Sequence, residues 1–124
     1  MYPSDGYRHE SIMVHEFGHT VMNCGFSGAH FEKINVEWET ARADPKRKHQ
    51  LDEYWLCNTE EFWAELTQAW FNASIREDVN GGINTREAVK AQLPTMAAFL
   101  AEIYGETEWL YTSDCPDPAK WGVK

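Results

Sequence analysis

The stretch "SIMVHEFGHTVMN", residues 11 to 23, decides how the rest of the chain is read. His15, Glu16 and His19 form a His-Glu-x-x-His pattern. On a helix the two imidazoles stand one turn apart on the same face, where one ion can meet both, and the carboxylate lies one step around as a candidate base. The pattern predicts a helix that begins near Gly6 to Arg8 and stops at Gly25, a residue suited to the left-handed position after a helix end. Met13, Phe17, Val21 and Cys24 are its expected buried stripe, which leaves His15 and His19 to one side as the wall of a cleft. Gly18 within this helix costs roughly 1 kcal/mol relative to alanine, so close packing is expected there.

Zinc in a catalytic site takes three protein ligands and keeps one position open for water. Two imidazoles therefore need a third group, best supplied by a carboxylate at the start of a neighbouring helix. "NTEEFWAELTQAWFNAS", residues 58 to 74, reads as such a helix, with Asn58 or Thr59 as N-cap and Phe62, Leu66, Ala69 and Trp70 at helical spacing. Glu60 and Glu61 are both candidates for the third ligand. Glu65 lies one turn beyond Glu61 and is placed to accept the free ring N–H of a histidine ligand, fixing its tautomer.

Between these helices, residues 26 to 57 read as mostly irregular, with a short strand over Lys33 to Trp38 and a charged loop at "ARADPKRKHQ". A further helical stretch follows Asn84-Thr85, with Pro94 kinking it or starting a new helix and Gly105 ending it. The tail "WLYTSDCPDPAKWGVK" is turn-rich and aromatic and is expected to wrap over the surface. No composition break divides the 124 residues, which are read as a single domain over 1–124.

Six Trp, six Phe and five Tyr supply a core, and the formal charge of −9 argues against nucleic acid as a partner. The apolar runs are too short to cross a membrane. No signal peptide is legible. Cys24, Cys57 and Cys115 are odd in number without a Cys-x-x-Cys pair; Cys57 reads as a small buried thiol or a disulfide partner for Cys24 or Cys115. Asn72-Ala73-Ser74 is a glycosylation sequon and the one hint of secretion. His9, His30 and His49 carry no site assignment.

The motif "HEFGH" followed by "YWLCNTEEFWAE" resembles the catalytic domain of anthrax lethal factor and its relatives, zinc metallopeptidases of the gluzincin type. The resemblance runs roughly from Ser11 to Gly105. In that family a Glu before an aromatic pair is the third ligand, with an Asn three residues and a Tyr seven residues earlier; Glu61, Asn58 and Tyr54 stand at those offsets. The resemblance implies a mainly α (α+β) zincin-like core in which His15, His19 and Glu61 bind Zn2+, Glu16 is the general base and Tyr54 stabilises the oxyanion. It also places an acidic group at the position of Glu65. Peptide or protein substrates follow, and the activity expected is that of a zinc metalloendopeptidase. Such enzymes carry an antiparallel sheet ahead of the His-Glu-x-x-His helix, whereas only fourteen residues precede His15. The sheet is therefore expected to be absent or truncated and the chain to be a fragment. The alternatives are a catalytically silent zinc-binding module that recognises a protein partner, and a closed structural zinc scaffold.

Overall fold

The computed structural model describes residues 11–106, so the expected tail and Cys115 lie outside the described residues. Five α-helices follow one another: α1 (Ile12–Gly25), α2 (Gly28–Ala43), α3 (Thr59–Trp70), α4 (Arg86–Gln92) and α5 (Pro94–Tyr104). Two short 3₁₀ helices, Pro45–Gln50 and Tyr54–Leu56, join α2 to α3. The described residues are mainly helical and contain no strand. None of the described helices is long and apolar enough to cross a membrane.

The centre of the molecule is α3. Every residue from Glu61 to Trp70 is buried, which leaves this helix with almost no solvent face. Its start is set by Asn58, whose side-chain oxygen accepts the Glu61 N–H at 2.8 Å. That cap satisfies one of the orphan donors of the first turn. Trp63 stacks on Tyr104 of α5, 5.4 Å between centroids, and meets Phe26 edge-on at 4.9 Å and Phe99 at 5.4 Å. Pro94 starts a fresh helix rather than kinking a long one, because Leu93 leaves helical geometry before it. Gly105 ends α5 with φ of 76°, a conformation open to glycine at little cost.

Across α3 lies α1, and Gly18 is the crossing point. A Cβ there would stand 3.0 Å from both Cβ and Oγ1 of Thr67 and 3.2 Å from Cα of Ala64. The glycine thus lets two backbones approach, as its helix-weakening presence suggested. The expected buried stripe is corrected. Met13 is 84% exposed, Phe17 is half exposed and Cys24 is exposed, whereas His15, Gly18 and Met22 face inward. The helix turns its small and polar side to α3 because only that side permits the close approach. It begins at Ile12, not near Gly6 to Arg8: Ser11 is extended and its hydroxyl accepts the Val14 N–H at 3.2 Å. Gly25 is the last helical residue rather than a left-handed cap. The helix stops because Phe26 turns extended, and the Phe26 ring packs against Trp63.

The largest departure from expectation is α2, which replaces both the irregular stretch and the short strand over Lys33 to Trp38. A capping box opens it: the Ser27 hydroxyl accepts the His30 N–H, and the His30 ring accepts the Ser27 N–H at 3.0 Å. Only Ile34, Glu37 and Ala41 are buried along it. Glu37 accepts a 2.9 Å bond from Thr95, tying α2 to α5, while Trp38 and Arg42 both donate to the Leu56 carbonyl. Polar anchoring thus does part of the work that an apolar stripe does elsewhere.

Candidate metal centre

His15 and His19 project from α1 towards the first turn of α3, where Glu61 lies between them. His15 Nε2 is 3.2 Å from Glu61 Oε2, and His19 Nε2 is 2.7 Å from Glu61 Oε1. The rings stand edge to face with centroids 4.9 Å apart. One donor atom from each of the three residues fits within a 4.8 Å span, so they could hold a metal ion. His15 and Glu61 are buried and His19 is half-buried. Glu60, the other candidate, is exposed; Asn58 fixes the turn so that its neighbour faces the histidines. A carboxylate in a first helical turn is also favoured by the helix dipole.

The hydrogen-bonding of His15 bears on whether a cation fits. Its Nδ1 lies 2.7 Å from Gln68 Oε1, and Gln68 Nε2 in turn donates to the Ser11 carbonyl at 3.4 Å. With the amide nitrogen used on a carbonyl, the amide oxygen is the acceptor, so Nδ1 carries the hydrogen. The Nε2 lone pair then faces a carboxylate oxygen at 3.2 Å. Two lone pairs opposed in a buried site are unfavourable until a proton or cation lies between them. The donor set of two imidazoles and a carboxylate suits zinc.

Gln68 was not anticipated, since nothing in the spacing of an apolar helix marks one glutamine as an orienting group. Glu65, expected in that role, is buried with Oε1 3.6 Å from His15 Nδ1, outside hydrogen-bond reach. It stands beside the ring while Gln68 makes the bond.

Tyr54, 47% exposed, lies nearly parallel to the His15 ring with centroids 6.0 Å apart. The Glu61 carboxylate beside its hydroxyl, followed by partial burial, pushes the phenol well above its usual range. Glu16 is exposed and borders an open cleft of about 360 Å³ together with His15, Tyr54 and Glu65. Ile12 and Val79 add apolar wall, and Arg76 adds a cation that sequence reading passed over.

The remaining candidates among the described residues fall outside this cluster. Cys57 is exposed rather than buried, and both it and Cys24 are free thiols. His30 caps α2, His49 contacts Gln50, and His9 lies outside the described residues. Compared with models of known protein families, with curated proteins and with solved structures, the chain matches none.

Proposed function

We propose that this chain is a zinc-dependent metallopeptidase unit that hydrolyses peptide bonds, with a zincin-like core. The observation that carries the reading is the convergence of His15, His19 and Glu61 on one point, beside a cleft bordered by Glu16 and Tyr54. When bound, the zinc supplies an acidified water and a polarised carbonyl. His15, His19 and Glu61 are the residues that would hold it, and Gln68 keeps the His15 lone pair turned towards it. Glu16, adjacent in sequence to His15 and open to the cleft, takes the attacking water's proton and passes it to the leaving amine. The Tyr54 phenol, at the cleft wall beside His15, donates a hydrogen bond to the carbonyl oxygen as negative charge develops there.

The test is cleavage of a quenched peptide library by zinc-loaded chain, with and without chelator, beside Glu16→Gln. Loss of the general base is expected to lower turnover by about 10² to 10⁴ while zinc stays bound. Equal turnover in both proteins would refute the assignment of Glu16. Stoichiometric zinc with no cleavage in any sample would make the chain a silent zinc-binding module.

A further inference from the structure

Among the described residues that border the cleft beside the candidate metal centre, one side chain is cationic, Arg76. Three side chains fix its backbone. The Arg76 N–H donates to Ser74 Oγ at 3.2 Å, and its carbonyl accepts from Asn80 Nδ2 at 2.9 Å and from Asn84 Nδ2 at 3.0 Å. Asn80 and Ser74 are themselves buried. The guanidinium is oriented as well: its Nε and Nη2 edge meets the two Asp78 oxygens at 3.0 Å each. Asp78 is 71% exposed at its side chain, so water competes for that pair and it adds little to stability. The backbone bonds thus fix where Arg76 leaves the chain, and Asp78 orients its guanidinium at the cleft wall.

From this geometry we infer that Arg76 selects substrates carrying a carboxylate next to the apolar wall of Ile12, Val79 and the Tyr54 ring. The inference rests on the peptidase reading and names its substrate class: peptides whose α-carboxylate, or whose Asp or Glu side chain, falls in this part of the cleft. A guanidinium has five donors in a planar fork and accepts a carboxylate in two-point geometry, beside or in place of existing partners. The chain's formal charge of −9 repels anionic peptides at long range, but physiological salt screens that field beyond about 8 Å, whereas the contact with Arg76 is local.

The experiment measures binding of dye-labelled peptides by fluorescence anisotropy at 0.15 M salt, using the Glu16→Gln protein, zinc-loaded and metal-free. Three peptides of one sequence are compared: free C-terminus, amidated C-terminus, and amidated with an internal Gln replaced by Glu. At least one carboxylate-bearing peptide is expected to bind about ten- to a hundredfold more tightly than the neutral one, in both metal states. Which of the two does so distinguishes an α-carboxylate from a side-chain carboxylate. Arg76→Gln is expected to abolish the margin and Arg76→Lys to keep part of it, with helicity and zinc affinity equal in all proteins. A margin that persists in Arg76→Gln, or no margin for either peptide, overturns the inference. The metal-free measurement reads Arg76 alone, so failure of the peptidase reading, seen as absent Glu16-dependent cleavage, remains a separate result.

Discussion

Replacing Gly18 by alanine tests the packing of α1 on α3 and the proposed metal centre together. The new Cβ would meet Thr67 Cβ and Oγ1 at 3.0 Å and Ala64 Cα at 3.2 Å. Ordinary carbon contacts lie near 3.5–4.0 Å, so something must yield by about 0.5 Å. Ala64 Cα is backbone in a fully buried helix and cannot rotate away. Thr67 is wholly buried and its Oγ1 is bonded to the Tyr104 hydroxyl at 2.9 Å, so turning it breaks that bond. The remaining response is for α1 to lift. Overpacking of this kind costs about 1–3 kcal/mol, against about 1 kcal/mol gained from helix propensity. The net loss is about 0–2 kcal/mol. Gly25→Ala, with nothing within 4 Å of its Cβ, is the control and should show no such packing penalty. Because His15 and His19 flank Gly18 while Glu61 stays on α3, a 0.5 Å lift exceeds the roughly 0.2 Å tolerance of metal–ligand distances. If the centre holds zinc as proposed, its affinity should then fall about tenfold, equivalent to about 1.4 kcal/mol. Thermal melts of the metal-free proteins and competition titration with a zinc chelator provide the two readouts. Should Gly18→Ala melt as high as Gly25→Ala and bind zinc as the parent does, the close-approach argument would be wrong.

Three further outcomes follow from named contacts. Gln68→Leu should lower zinc affinity by about 10- to 100-fold with helicity intact, and Gln68→Glu should restore much of it; competition titration reads both. Asn58→Ala removes the cap of α3 and should destabilise the protein by about 1 kcal/mol in urea denaturation, with weaker zinc binding because Glu61 shares that turn. Burial holds the Tyr104 phenol above its ordinary value of 10.0. A group whose folded-state value is raised contributes fully below its unfolded value and loses that contribution as pH climbs past it. Stability should therefore decline above about pH 10, and Tyr104→Phe should flatten the decline while costing about 1 kcal/mol at pH 8 through the lost bond to Thr67.

What could be read in advance depended on how each residue meets its neighbours. The start of α3 at Asn58, the break at Pro94 and the end at Gly105 are local matters of caps and backbone, and they were legible. Helical spacing pointed to a carboxylate at the start of α3 opposite His15 and His19 but left Glu60 and Glu61 both open; the structure brings Glu61 to them and leaves Glu60 exposed. The face of α1 was misread because Met13 and Phe17 are the larger apolar groups, yet close helix contact selects Gly18 and the polar His15 instead. The helix α2 was missed because Ile34 and Val36 favour a strand and its buried face includes Glu37, which no hydropathy pattern counts as core. Gln68 and Arg76 carry no periodic signal; their roles depend on which residues from distant parts of the chain stand opposite them.

The burial of α3 from Glu61 to Trp70 also orders the motions available to the protein. Amide protons along this helix exchange with water only when neighbours on several sides step back together, so they should be the slowest in the described chain. The outer turns of α1 have fewer neighbours to displace. An ion held as proposed between the two helices would therefore come and go by brief outward excursions of α1, which carries both histidines. Its residence time would be governed by how often one helix breathes rather than by unravelling of the centre.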